Sequence, residues 1–274
     1  IASKTHYLAN PQDLEQQIKE LFSNKMGPGD LPVFKTTMLP LQAIIVPHGS
    51  YSIAGPCMAW AYKAIAEQHI EEPLYIILAQ AQHEDSAGVS LETFSLPFGE
   101  VRPDQEFIKA LVEKNNIQIN EELHQKENCI EVQLPLLQFA HGLARKSIKI
   151  VPIFINSQTN ISELVIDIKE TLLEQKKTAT YIVVSNFTPF GREFNYVPFT
   201  EEVSKNIFEL NNRVFDTIKS FDKSSFVHLL NEQFIPISGR LPIEMLFSLI
   251  KPEKIILEQT YVSGDMNNDY KNMS

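Results

Sequence analysis

The amino-acid sequence predicts a single-domain α/β protein with a central, mostly parallel or mixed sheet flanked by helices. Continuous apolar runs of strand length alternate along the chain with amphipathic segments of helix length. Runs without polar alternation are typical of strands that are buried on both faces. The 274 residues can enclose one large core, and no stretch resembles a linker. Residues 1–274 are therefore expected to form one domain.

The order of the elements follows from apolar spacing. The predicted strands have continuous apolar composition and lie at residues 43–46, 74–79, 148–155, 181–185 and 254–262. The predicted helices have apolar residues at three- and four-residue spacing and lie at residues 13–22, 56–67, 104–114, 130–143, 161–174, 201–220, 223–230 and 241–249. A helix start signal, Asn10 followed by Pro11, precedes the first of them.

Four segments that follow predicted strands or precede predicted helices are candidates for one shared pocket. They lie at residues 47–51, 80–85, 186–192 and 238–242. Ligands in open α/β sheets bind beyond the carboxyl ends of the strands, where such loops converge. We therefore expect these four segments to meet.

Composition excludes several classes of partner. The formal net charge of −10 disfavours binding to phosphate backbones, which depends on Lys and Arg, and no nucleic-acid partner is expected. No apolar run reaches the ~20 residues that a membrane span needs. Cys57 and Cys129, the two cysteines, lie far apart in sequence, so they indicate no disulfide framework and no Cys pair at zinc-ribbon spacing. These features favour a cytoplasmic protein.

Five blocks of residues, in order along nearly the whole chain, match motifs of a known family. They lie at residues 43–63, 77–83, 127–135, 183–191 and 238–243, and a Tyr-x-Ser-Gly-Asp signature follows at residues 261–265. On these blocks the chain resembles the Memo family, whose members are similar in fold to class III extradiol ring-cleaving dioxygenases. The resemblance implies that fold, with a pocket lined by three His from the first, second and fourth blocks and a Cys from the fifth.

Carried over residue by residue, the resemblance implies a depleted metal site. His48 stands at the position of the family's first His. Gln82 replaces the first His of a His-His pair, and His83 stands at the position of the second. Pro189 replaces the His of the fourth block, and Ser238 replaces the Cys.

Two amides complete the replacements that the resemblance implies. Asn128 replaces a further pocket His, and Asn186 replaces an Asp. Amide and hydroxyl groups are weaker ligands than imidazole and thiolate. His48 and His83 remain the candidate metal ligands, with Glu127 or Glu131 as a possible carboxylate. If a metal is bound, iron, copper or zinc is expected; otherwise the cofactor is none or unknown.

Each candidate also has a structural interpretation. His48 could be a turn residue that bonds backbone groups, and His83 could be a solvent-exposed side chain. Tyr51 could supply an aromatic wall for a ligand or belong to the core. Arg240 could bind a carboxylate or phosphate, since a guanidinium offers paired donors, or it could form an internal salt bridge.

The remaining His and Cys residues are interpreted in the same way. Cys57, at a predicted helix start, would have a lowered pKa if the helix dipole acted on it, and would otherwise be a small buried side chain. His6 and the other His residues show no ligand spacing and are interpreted as surface or packing residues.

These observations favour a non-catalytic protein that binds a small molecule or a peptide in an eroded metal site. The alternative is a redox enzyme of dioxygenase type that uses non-haem iron or copper, with His48 and rearranged ligands. A hydrolase or transferase with Ser238 as nucleophile would lack the usual Gly-x-Ser-x-Gly turn. Whether the chain is an enzyme stays open, and a classical metal-dependent dioxygenase is the less favoured interpretation. The sequence indicates neither the ligand nor the oligomeric state.

Overall fold

The computed structural model describes residues 5–33, 35, 40–68, 73–81, 87–142 and 148–273. The strands of the sheet are β1 (Ala43–Val46), β2 (Leu74–Gln80), β3 (Gly88–Val89), β4 (Phe94–Leu96), β5 (Gly99–Pro103), β6 (Lys149–Ile155) and β7 (Thr180–Val184). They lie in the order β1-β7-β2-β6-β5-β4, and β3 pairs with β6. The pairs β1–β7, β7–β2, β2–β6 and β6–β5 are parallel, whereas β3–β6 and β4–β5 are antiparallel. The predicted mixed, mostly parallel sheet is therefore confirmed.

Helices cover both faces of this sheet. They are α1 (Pro11–Ser23), α2 (Gly55–Ala66), α3 (Gln105–Glu113), α4 (Glu121–Lys126), α5 (Leu134–Gly142), α6 (Ile161–Glu174), α7 (Val203–Lys219), α8 (Lys223–Glu232), α9 (Arg240–Leu249) and α10 (Gly264–Asn267). Side chains of α1, α2 and α5 form one core with the sheet, and those of α3, α6, α7, α8 and α9 form the other. No helix in the described ranges is long and apolar enough to cross a membrane.

The strands contribute to both cores because successive side chains point to opposite faces. In β2, Tyr75 and Ile77 belong to the core under α2, while Ile76 and Leu78 belong to the core under α9. This arrangement explains the continuous apolar runs in the sequence. The first helix begins at the predicted start signal, because the Asn10 side chain accepts hydrogen bonds from the backbone N–H groups of Gln12 and Asp13.

Most predicted elements are confirmed to within two or three residues, but one strand is not. Residues 254–262 form no strand, although their apolar composition predicted one. A strand requires a hydrogen-bonded neighbour, and these residues line a cavity instead of pairing with β1. The predicted helix at 130–143 begins with a 3₁₀ turn at Glu131–Gln133 and continues as α5, with residue 143 outside the described ranges.

Candidate binding site beside the first strand

The turn after β1 is fixed by the chain that follows β7. The backbone N–H of His48 donates to Asn186 Oδ1 at 3.0 Å. Gly49 has φ +145°, in the range that favours glycine, and so permits the change of direction after His48. Since β1 and β7 are parallel neighbours, their carboxyl ends lie side by side, and one amide can bridge them.

A buried amide holds the same turn from the α2 side. Gln133 is fully buried, and its Nε2 donates to the carbonyl oxygens of Pro47 at 3.1 Å and Cys129 at 3.3 Å. Its Oε1 accepts a hydrogen bond of 3.0 Å from the Tyr62 hydroxyl. The position of the His48 turn therefore depends on a chain of buried hydrogen bonds that reaches α2.

His6 is the functional candidate that the sequence interpretation missed. His6, His48 and Asn128 line the same cavity. Asn128 Nδ2 donates to His6 Nε2 at 3.4 Å, and the His6 carbonyl accepts a hydrogen bond of 2.8 Å from the Tyr51 N–H. Residue spacing in the sequence does not indicate that His6 lies here. The tertiary structure brings the segment before α1 next to the turn after β1.

His48 is neutral at physiological pH. Burial lowers the pKa of the His48 imidazole to about 4, and the nearby charge of His6 lowers it further in the same direction. A neutral imidazole can both donate and accept a hydrogen bond, and it is also the form that ligates metals.

The cavity has a volume of about 1110 Å³. It extends from His48 and Asn186 along the outer edge of β1. Side chains of α2 form one side, and those of α7 and α9 form the other; the residues that line these sides include Trp60, Ala61, Ala64, Phe215, Ile218, Leu246 and Phe247. Residues 252–261 also line the cavity. Its sides are thus mostly apolar, and one end is polar.

Two other predicted candidates support the loops around the cavity. Ser238 is exposed, and its Oγ accepts a hydrogen bond of 2.8 Å from the Asn186 N–H, while its own N–H donates to the Asn186 carbonyl at 3.2 Å. Arg240 Nε donates to Glu244 Oε1 at 2.9 Å, which is a salt bridge within α9. Neither residue is part of the cavity lining.

Tyr51 and Pro189 belong to the packed interior. Tyr51 is fully buried, and its hydroxyl donates to the Val132 carbonyl at 2.9 Å. Pro189 is buried and has no side-chain donor or acceptor. Gln82 and His83, the remaining predicted candidates, lie outside the described residues.

The Cys57 thiol is not activated. It lines the cavity at the start of α2, and its Sγ donates to the Gln259 carbonyl at 3.8 Å. Burial raises the pKa of this thiol to about 12, so the thiolate is not populated near neutral pH. The effect of burial on the pKa of the Cys57 thiol therefore outweighs that of the helix dipole.

The described residues do not fit the three-His site that the family resemblance implies. In the parts of the chain that the structure describes, no three His, Cys, Asp or Glu side chains are grouped to hold a metal. The Glu131 carboxylate, a candidate third ligand, accepts a hydrogen bond of 2.8 Å from the Tyr7 hydroxyl and does not line the cavity. His48, His6, Asn128 and Asn186 are among the polar residues that line the cavity.

Replacing Gln133 with Leu is expected to destabilise the fold by about 2–4 kcal/mol, because it leaves buried polar groups without partners. The free energy of unfolding in urea measures this effect. Gln16→Leu, on the exposed face of α1, is the matched control and is expected to change stability by no more than about 0.5 kcal/mol. A loss below about 1 kcal/mol for Gln133→Leu would contradict the role given to this amide.

The lowered pKa of His48 predicts a pH dependence of stability. Above the usual His pKa of about 6.5 the ring is neutral in both the folded and the unfolded state. As the pH falls from there toward about 4, the unfolded state binds a proton that the folded state does not, so stability is lost. His48→Gln is expected to remove on the order of 2 kcal/mol of this loss, measured by urea unfolding across that range. If the pH dependence of stability were the same in His48→Gln as in the wild type, the lowered pKa of His48 would be refuted. His124, whose pKa burial also lowers to about 4, should show the same direction in His124→Gln.

Comparison with known proteins places these observations in a family. The sequence model described as Memo-like protein matches residues 3–273. A MEMO1 family protein of Methanopyrus kandleri is 27% identical over 277 residues, which cover 96% of this chain and 91% of that protein. MEMO1 family proteins of Methanocaldococcus jannaschii and Sulfolobus acidocaldarius are each 28% identical, with the same two coverages. The chain belongs to the Memo-like protein family.

Proposed function

We propose that this protein is a non-catalytic binding protein that takes a small molecule or a peptide into the cavity beside β1. The cavity itself, of about 1110 Å³, is the observation that carries the proposal. Ligand sites are concave and mostly apolar, with a few polar groups that fix the orientation of the ligand. Here His48, His6 and Asn128 supply polar groups at one end, and apolar side chains of α2, α7 and α9 contribute much of the sides.

The hydrogen bonds at the motif positions support binding over catalysis. Asn186 and Ser238 hold each other and the His48 turn, so these side chains act as structural links between loops. The Cys57 thiol is protonated at neutral pH, which removes it as a nucleophile. A neutral His48 can still form a hydrogen bond with an uncharged or acidic ligand group.

The dye anilinonaphthalene sulfonate, an anion with apolar aromatic rings, is expected to bind the cavity, with an increase in its fluorescence. Ala64→Phe, which places an aromatic ring in the cavity, should weaken dye binding about tenfold. Gln16→Phe adds the same ring to the exposed face of α1 and should leave the binding unchanged. Equal dye affinity in wild type and Ala64→Phe would show that the dye does not report the cavity, and absence of dye binding would count against the proposal.

One observation favours the alternative, a metal-dependent redox enzyme. His6 and His48 line the same end of the cavity, and a neutral His48 is in the protonation state that a metal ligand requires. Two imidazoles with an asparagine oxygen and open positions could hold iron or copper. The bound metal would then supply redox or Lewis-acid chemistry at this end of the cavity.

Metal titration separates the two functions. On the proposed function, binding of Fe(II), Cu(II) or Zn(II) is expected to be substoichiometric in elemental analysis and insensitive to His48→Ala. Stoichiometric binding that is lost in both His48→Ala and His6→Ala would establish the alternative. His228→Ala, at an exposed position on α8, controls for nonspecific loss of an imidazole.

A further inference from the structure

We propose that four buried tyrosines form a path for one-electron oxidation through the core under α2. The path leads from the His6 end of the cavity to His141 at the end of α5. Its members are Tyr7, Tyr51, Tyr62 and Tyr75. This inference goes beyond the proposed function and does not depend on the ligand of the cavity. The co-reactant at the cavity end is a one-electron oxidant of the class of oxygen radicals.

The hydroxyls of the four tyrosines bond to one stretch of chain, although the residues come from four different places in the fold. All four side chains are buried. The Tyr7 hydroxyl donates to Glu131 Oε1 at 2.8 Å. The hydroxyls of Tyr51 and Tyr62 bond to the next two residues of the same 3₁₀ turn. Three phenols therefore meet at one turn, and the fourth bonds to the helix that follows it.

Successive rings along the path lie close to one another. The ring centroids of Tyr7 and Tyr51 are 5.6 Å apart, within the range of interacting aromatic side chains. Burial raises the pKa of Tyr51, and a charge on Tyr62 raises it further. Burial likewise raises the pKa of Tyr62, and a charge on Tyr75 adds to this effect. These phenols are thus near neighbours, and electron tunnelling is fast across short gaps because its rate falls exponentially with distance.

Oxidation of a buried tyrosine requires a nearby base. Burial raises the pKa of all four hydroxyls, so the phenolate is not available near neutral pH. A phenol that loses an electron becomes strongly acidic, and its proton must pass to an acceptor within hydrogen-bonding distance. A neutral phenoxyl radical can therefore persist only where such an acceptor is basic.

The two ends of the path have a base, and the middle does not. The Glu131 carboxylate accepts the hydrogen bond of Tyr7. His141 Nε2 lies 2.6 Å from the Tyr75 hydroxyl, and it is the acceptor when Nδ1 carries the ring proton. The two tyrosines between them bond to carbonyl and amide oxygens, which are too weakly basic to take a proton. The radical therefore rests on Tyr7 or Tyr75, and the rings between them only transfer electrons.

The steps balance in electrons and protons. The oxidant takes one electron from Tyr7, and the phenolic proton moves to Glu131. An electron from Tyr75 then passes along the intervening rings to the Tyr7 radical, which recovers its proton from Glu131. Tyr75 gives its own proton to His141, which leaves a phenoxyl radical beside an imidazolium. A reductant of the ascorbate or thiol class returns one electron to Tyr75, and the proton moves back from His141.

Both ends of the path lie near accessible parts of the molecule. Tyr7 follows His6, which lines the cavity. His141 is buried, and the next residue, Gly142, is exposed. An oxidising equivalent that forms at the cavity is thereby moved to the end of α5, where an external reductant can discharge it.

The test detects a radical on Tyr75 in the full chain. Flash-generated tris(bipyridine)ruthenium(III) is the oxidant, and electron paramagnetic resonance after rapid freezing is the readout. Incorporation of 3-fluorotyrosine at position 75 nearly preserves the shape of the side chain. It is expected to broaden the tyrosyl signal through coupling to fluorine. Tyr270→Phe is present in every sample, because Tyr270 is exposed and would be oxidised directly.

Three variants of the fluorinated protein test the path. Tyr62→Phe removes a phenol from its middle and is expected to lose most of the broadened signal. Tyr181→Phe removes a buried phenol of the other core and should retain the signal. His141→Gln keeps a hydrogen-bond acceptor but removes the base, and radical formation on Tyr75 should slow about a hundredfold. Thermal unfolding shows whether each variant is folded.

Several results would overturn the proposal. Absence of fluorine broadening would show that no radical rests on Tyr75, and this result needs no destabilising variant. A full signal in Tyr62→Phe would show that the oxidant reaches Tyr75 directly, without the path. An unchanged rate in His141→Gln would refute the proton transfer. Because dye binding to the cavity is measured separately, each of these results would leave the proposed function intact.

Discussion

The parallel pairing of β1 with β7 is the constraint from which the site follows. It aligns the carboxyl ends of the two strands, so that Asn186 can bond the His48 backbone across them. It also occupies one edge of β1 and leaves the other facing the cavity. The polar end and the apolar length of the cavity are thus two consequences of one strand pair. Helices on both faces then determine the width of the space beside that strand.

The residues at the family's motif positions hold the loops of the site together. Asn186 and Ser238 exchange hydrogen bonds that join the end of β7 to the start of α9. Gln80 and Ser185 bond the backbone N–H groups of Leu241 and Gly239 at that same helix start. The positive end of α9 is therefore satisfied by side chains of the protein. An incoming anion would have to compete with them.

Much of the fold could be predicted from the sequence, because burial on both faces leaves a direct signature in β1, β2, β6 and β7. The antiparallel β4 and β5 were missed because they are short, partly exposed, and contain charged residues or bear glycine and proline. The run at 254–262 has the composition of a strand, but composition does not specify a neighbour to pair with. Pairing is decided by the tertiary structure.

The site was less predictable, for reasons that particular residues make plain. His48 was identified from its motif, and its neighbour Asn186 from the segment after a strand. His6 gave no signal, since its approach depends on where the chain before α1 lies. For Arg240 the sequence left a ligand-binding and a structural role open, and the geometry places its guanidinium on Glu244. Spacing along the chain reports local pairs such as Arg240 and Glu244, which lie four residues apart in α9. The approach of Asn128 to His6 is determined by the tertiary structure instead.

The segment at residues 252–258 also has a consequence for solubility. An open strand edge with apolar neighbours is a template for uncontrolled pairing between molecules, and proteins commonly cover such edges with a loop. This segment lines the cavity that borders β1, and its residues Glu253, Lys254 and Glu258 are exposed. Charged residues beside an apolar stretch disfavour pairing between copies, because pairing would remove these charges from water. The charges of the stretch that lines the cavity are thus expected to limit pairing of the folded protein through its first strand.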